Sequence, residues 1–248
     1  MNNGAVIFFG LFASMAVSWV TFVLGPMAQL GGMQPAKTVA ALPAVYPNTT
    51  PGQARQGAGV YRASGCAWCH TQQVRPTELG SDLTHGWGVR RSVAHDYIFE
   101  ETAMLGAQRL GPDLSNAGMR MDARAVLTRL WDARMIEPKS VMPPYKFLFD
   151  VRRIGRTPSP DALAVSAKFA APDGYEIIPR PAARALAAYV ANLRQEPFLF
   201  EAPPPPGWVS TNTPAGGTNA PVGGTNAAAP AGSGAPALPG GANATNPQ

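Results

Sequence analysis

Cys66, Cys69 and His70 are the residues most able to do chemistry in this chain: two thiols three residues apart, with an imidazole abutting the second, in "GCAWCHTQQVRP" (Gly65–Pro76). The chain has no other cysteines, and its remaining histidines are His85 and His95. A structural zinc site needs four Cys or His ligands, which here would have to come from well-separated parts of the chain. A thioredoxin-like thiol pair sits between a strand and a helix in a βαβ pattern, and no such pattern surrounds these cysteines. The third chemistry is covalent attachment of a c-type haem, for which C-x-x-C-H is the signature. In that reading the thiols of Cys66 and Cys69 add to the two vinyl groups and His70 is delivered to the iron.

The haem reading calls for two further parts. One is a ligand on the far side of the iron. Thioether sulfur is soft, favours the reduced iron and raises its potential. Of the downstream methionines (Met104, Met119, Met121, Met135 and Met142), Met142 lies in "SVMPPY", where Pro143 and Pro144 stiffen a loop without helical period. Met135 flanks a helix end and has a packing role open to it. His85 and His95 read as surface or satisfied core residues. The second part is an acceptor for the other ring nitrogen of His70, since ligating histidines nearly always donate it to a carbonyl or carboxylate. "GPDL" (Gly111–Leu114) offers the Pro112 carbonyl in a rigid turn.

These residues need helices to position them. Thr50–Pro51 reads as an N-cap and first helical residue, opening a helix through Ala54, Gly57, Ala58 and Tyr61 that ends at the cysteines. A second helix is predicted over Asp122–Ala133, with Val126, Leu127, Leu130 and Trp131 on its apolar side. A third runs from Pro181 to about Gln195, with Leu186, Tyr189, Val190 and Leu193 in an i, i+3, i+4, i+7 stripe and Pro197 as its stop. Gly57 is placed to let the first and third helices approach closely. The long Gly/Pro-rich stretches between the helices need something to pack against, and a large flat apolar cofactor supplies it.

Ahead of this lies Ala5–Leu24, twenty residues without a charge, long enough to cross a bilayer. The absence of a positive n-region favours a retained anchor over a cleaved signal. Gly10, Ser14 and Ser18 put small residues on one face of it, and Trp19 lies near one end, as interfacial anchors do. The expected organisation is a transmembrane anchor at 1–28, a linker at 29–50, a globular domain at 51–201 and a disordered Pro/Gly/Ala-rich tail at 202–248. The tail repeats "GGTNA" at Gly216 and Gly223 and is too poor in large apolar residues to repay its ordering entropy.

All 20 Lys and Arg and all 15 Asp and Glu fall within residues 37–201. The net charge of +5 comes from scattered arginines with no interleaved aromatic run, so nucleic acid is not an expected partner. No Ser-His-Asp set, carboxylate dyad or nucleotide-binding loop is recognisable.

With these parts in place the chain resembles a class I cytochrome c: a helix ending in CxxCH, a GPxL turn, a Met-Pro loop and the terminal helix "AAYVANL". "GCAWCHTQQVRP", "RLGPDL" and "SVMPPY", in that order behind one apolar helix, narrow the resemblance to subunit II of cbb3-type cytochrome c oxidases. It covers roughly residues 1–150 and, loosely, the last helix. It implies a mostly α fold with long loops around one covalently attached haem c. It further implies thioethers at Cys66 and Cys69, axial ligation by His70 and Met142, and electron relay without a catalytic site of the chain's own. The implied partners are a haem–copper catalytic membrane subunit, another cytochrome c subunit and the lipid bilayer. The implied location is the bacterial inner membrane, crossed once, with the N-terminus cytoplasmic and the haem domain periplasmic. The segment from Lys146 to Ile178 exceeds the family's compact pattern. The helix before the Met loop, "RAVLTRLWDAR", lacks the histidines usual there.

Overall fold

A computed structural model describes residues 3–39, 45–195 and 198–204. The expected tail therefore lies, from residue 205 onward, outside the described residues, as does Pro197.

Helix α1 (Gly4–Leu30) is long and apolar enough to cross a membrane, and none of its hydrophobic window is buried. It runs six residues past the expected end, even though Pro26 has no N–H to give and its ring would crowd the carbonyl one turn back. The chain accommodates it with a π-helical turn over Val20–Leu24, in which the Gly25 N–H reaches back to the Val20 carbonyl.

Inside the stretch read as linker, strand β1 (Ala36–Lys37) pairs antiparallel with β2 (Val45–Tyr46). Val39 bridges to Phe198, and Tyr46, Val93, Leu199 and Ala202 form a small buried cluster beside them.

The frame of the globular part is helical, as expected. Helix α2 (Gly52–Ala63) buries Ala54, Gly57 and Tyr61, one stripe at helical spacing. Its start differs from the expectation by one residue. Pro51 has ψ 152° and is itself the cap, its carbonyl accepting the Arg55 N–H at 2.8 Å, so Thr50 stands outside the helix and caps nothing. Two one-turn helices follow, α3 (Cys66–Cys69) and α4 (Ala117–Arg120). Helix α5 (Ala123–Asp132) is capped by Asp122, whose carboxylate accepts from the Ala125 N–H, and it buries Val126, Leu130 and Trp131.

The segment from Lys146 to Ile178 reaches the core at Leu148, Phe149, Leu163 and Ile177, while most of the rest is exposed. Strands β3 (Phe149–Arg153) and β4 (Tyr175–Pro179) pair antiparallel, in register from Phe149–Pro179 to Arg153–Tyr175. Phe149 meets Trp131 edge-on at 5.4 Å, and the Trp131 indole N–H donates to the Phe169 carbonyl at 2.9 Å.

Helix α6 (Pro181–Asn192) opens on proline, which has no N–H to leave unpaired, and buries Ala183, Leu186, Tyr189 and Val190. It ends three residues before the expected Gln195. The backbone there is drawn off to α4: Gly118 N–H donates to the Leu193 carbonyl at 3.0 Å, and Gln195 N–H to Asn116 Oδ1 at 2.7 Å. Helices α2 and α6 cross at the centre of the core, where Tyr61 and Tyr189 meet at 5.4 Å. Each of these large, almost fully buried residues contributes about 1.5–3 kcal/mol by leaving water.

Candidate functional site

The cysteine segment is held by the end of α2. Gly65, at φ 72°, takes the left-handed conformation that lets the chain leave α2 and re-enter a helical turn at once. That turn puts Cys66 inward, half-buries Cys69 and leaves Trp68 on the surface. His70 then breaks into extended backbone.

A loop from Gly106 to Leu114 lies along this turn and bonds to it residue by residue. Ala107 N–H donates to the Ala67 carbonyl (3.0 Å), Gln108 to Trp68 (3.1 Å), Gly111 to Cys69 (2.9 Å) and Leu114 to Thr71 (2.8 Å). His70 Nδ1 meets the Pro112 carbonyl at 2.9 Å. Gly111 makes room for the ring: a β-carbon there would stand 2.3 Å from His70 Cε1. Asp113, fully buried, accepts from the Thr71 hydroxyl at 2.6 Å and from Gln73 and Ser115 N–H at 2.8 Å each.

Burial lowers the His70 pKa against the raising effects of the Pro112 carbonyl and Asp113, so the ring is neutral at pH 7, with Nδ1 donating to Pro112 and Nε2 unprotonated. Burial pushes the Cys66 thiol up to about 11, with a smaller raising effect from Cys69 and only partial relief from its own backbone and Tyr145. A reactive or zinc-binding thiol needs the opposite shift.

Met142 is half-buried and packs against the main core. Its loop is pinned at Tyr145, whose N–H donates to the Leu130 carbonyl at 2.8 Å and whose hydroxyl reaches the Ser64 carbonyl, two residues before Cys66, at 3.4 Å. The other candidate methionines are placed differently: Met104 is buried in the core, Met121 and Met135 pack against it, and Met119 is on the surface. His85 stacks on Trp87 and contacts the Ser81 carbonyl, and His95 Nδ1 lies 2.8 Å from Glu201 Oε1.

The structure thus joins Cys66, Cys69, His70 and Pro112 directly and ties the Met142 loop to the same segment through Tyr145. Sequence reasoning missed Tyr145, Asp113, and an ion cluster centred on the buried Asp82. In that cluster Asp82, fully buried, receives Arg75 and Arg109 at 2.9 and 2.7 Å. Asp113 and Arg109 stand inside the quoted "RLGPDL" and could have been singled out; Asp82 carries no spacing signal.

The donor set fits a haem. It offers two neighbouring free thiols, an imidazole with one nitrogen already committed, and a thioether on a proline-stiffened loop. Among the described residues no three His, Cys, Asp or Glu gather as a cage for a bare metal ion. A helical frame carrying such a set defines a domain of the cytochrome c class. Residues 11–193 match a family model described as "Cytochrome C oxidase, mono-heme subunit/FixO", and the chain belongs to that family. No curated protein matches it. The match agrees with the resemblance to subunit II of cbb3-type oxidases, and the family's name carries one haem per subunit and membership of an oxidase complex.

Proposed function

We propose that this chain is the membrane-anchored electron-relay subunit of a cbb3-type haem–copper oxidase. It carries one covalently attached haem c and passes single electrons towards a separate oxygen-reducing subunit. The observation that carries the reading is the His70 Nδ1–Pro112 hydrogen bond, built on Gly111: it commits one ring nitrogen and leaves Nε2 free as a ligand of fixed orientation. Cys66 and Cys69 would carry the haem through thioethers, and His70 and Met142 would supply the ligands to its iron. When bound, the haem supplies a one-electron iron couple whose potential is raised by methionine ligation. The protein's own work is to hold these ligands, to keep the His70 tautomer fixed and to bury the site.

Helix α1 crosses the bacterial inner membrane once, with the N-terminus cytoplasmic and the following domain periplasmic. Tethering keeps the domain at high effective concentration beside the catalytic subunit and a further cytochrome c subunit.

Two measurements test this. A covalent-haem stain on a denaturing gel of the exported protein should light a band at the chain's mass. Gentle solubilisation of the membranes should recover the chain with a haem–copper subunit. An unstained band with both thiols open to alkylation removes the haem. A stained chain recovered apart from all oxidase activity removes the partner.

A further inference from the structure

Among the described residues Arg109 is the one non-glycine at positive φ, 53°; the other left-handed positions are glycines 65, 86, 106 and 174. A side chain in that conformation costs about 1 kcal/mol or more, so something must hold it there.

The holder is its own guanidinium. Nη1 donates to Asp82 Oδ2 at 2.7 Å and Nη2 to the Gln73 carbonyl at 2.6 Å. The same fully buried carboxylate accepts from Arg75 through its backbone N–H at 2.8 Å, Nε at 3.2 Å and Nη2 at 2.9 Å. Gly80 lets the Arg75 guanidinium lie flat, since a β-carbon there would stand 2.5 Å from its Cζ. Asp82 therefore fastens both chain segments that converge on His70: the one leaving it, Gln73–Arg75, and the one bringing Pro112 to it. The kink at Arg109 falls between the Gln108 and Gly111 main-chain bonds, where the loop must turn before Pro112 can face the ring.

We propose that Arg109 is a positioning residue: anchored by Asp82 and the Gln73 carbonyl, it holds the left-handed turn that aims the Pro112 carbonyl at His70 Nδ1. It thereby sets the basicity of the Nε2 that faces the iron. This rests on the reading of His70 as the axial ligand. A strong Nδ1–H bond makes the imidazole a better donor and favours the oxidised metal. Loosening that bond raises the reduction potential. Deleting a positive charge near the iron does the reverse, because it relieves the oxidised state of repulsion.

The two effects have opposite signs, and the haem-loaded full-length chain separates them. In Arg109→Ala the His70 Nδ1 proton should exchange with solvent about tenfold faster, the scale set by losing one hydrogen bond, and the midpoint potential should lie above that of Arg109→Gly, which loses the same charge but keeps the turn. Arg109→Lys keeps the charge but cannot bridge Asp82 and Gln73 together, so its potential should rise. Arg109→Gly deletes the charge but adopts the turn without strain, so its potential should fall below wild type while its Nδ1 exchange rate stays near wild type; with Arg109→Lys it carries the test should the alanine variant fail to fold. An Arg109→Ala potential at or below that of Arg109→Gly, or an unchanged potential and exchange rate in Arg109→Lys, overturns the proposal. Absence of covalent haem from the wild-type chain would instead overturn the function it rests on.

Discussion

Gly57 of α2 lies against Ala185 of α6 with no room for a side chain: a β-carbon on Gly57 would stand 1.9 Å from the Ala185 carbonyl oxygen and 2.7 Å from Tyr189 Cβ. The neighbours are helix backbone, which cannot swing aside as a long side chain would. Gly57→Ala must therefore push the two central helices apart, at a cost of about 3 kcal/mol, and lower Tm by roughly 6–12 °C. Gly59, on the exposed face of the same helix, has nothing within 4 Å of its β-position. There the same substitution should be neutral or stabilise by about 0.5–1 kcal/mol through helix propensity alone. Thermal unfolding of the pair checks this; equal Tm values would mean the helices are not packed as described.

Gly111 poses the same steric question at the ligand. A methyl at this position would stand 2.3 Å from His70 Cε1 and 2.6 Å from Nδ1, so the ring must turn away and give up Pro112. Gly111→Ala should yield folded protein with a reduced ratio of haem to chain, read from absorbance against total protein. Full loading with an unshifted His70 ring signal in NMR would show that the ring does not sit against Gly111.

The central helices were legible in the sequence because their burial follows one stripe each. Ala54, Gly57 and Tyr61 on α2, and Leu186, Tyr189 and Val190 on α6, are the residues that period 3.6 picks out. The Pro112 acceptor was legible for a chemical reason, since a histidine beside a CxxC pair needs an orienting carbonyl and the Gly-Pro turn offers one. What escaped was decided by distant parts of the chain. Past Asn192 the chain leaves α6 and bonds elsewhere, the Leu193 carbonyl accepting from Gly118 and the Gln195 N–H donating to Asn116, contacts across more than seventy residues. The β3–β4 pair has no short turn between its strands and no clean alternation: Asp150 to Arg153 are all exposed, while Glu176 to Pro179 are all buried. Asp82 meets its two arginines at separations of 7 and 27 residues across turns and irregular loop, where no periodic element marks them.

Asp82 gives the protein an acid-sensitive joint. Burial by itself would raise its pKa, but the hydrogen bonds from the Arg75 side chain and backbone and from Arg109 outweigh it and hold the carboxyl at about 2, below its usual 3.8. In the window between these values the unfolded chain binds more protons than the folded one, so stability rises with pH across it. The contribution is complete above the unfolded value and is lost as pH falls towards 2. Asp82→Asn should be less stable at pH 7 by about 1–2 kcal/mol, since it removes the charge from two ion pairs whose arginines are partly open to solvent. Its Tm should also lack the wild type's decline between pH 4 and 2 that belongs to this group. Parallel acid titrations of Tm would show the two curves converging; curves that stay parallel would mean Asp82 is not the titrating group.

Met142 is the residue on which ligation of the far side depends. Its loop is fixed by Pro143, Pro144 and the two Tyr145 hydrogen bonds, one to α5 and one to the segment before Cys66, none of which involve its sulfur. Removing the thioether should therefore leave the loop, the thiols and the His70–Pro112 bond in place. Met142→Ala should retain the covalent-haem stain while losing the sulfur-to-iron charge-transfer band of the oxidised protein, and its potential should fall, because soft sulfur favours reduced iron. Met135→Ala, on the core side, should keep the band and lose stability by about 2–3 kcal/mol through the cavity it leaves. If Met142→Ala kept its band and Met135→Ala lost it, the ligand would be Met135, and the rigidity of the Met142 loop would need another explanation.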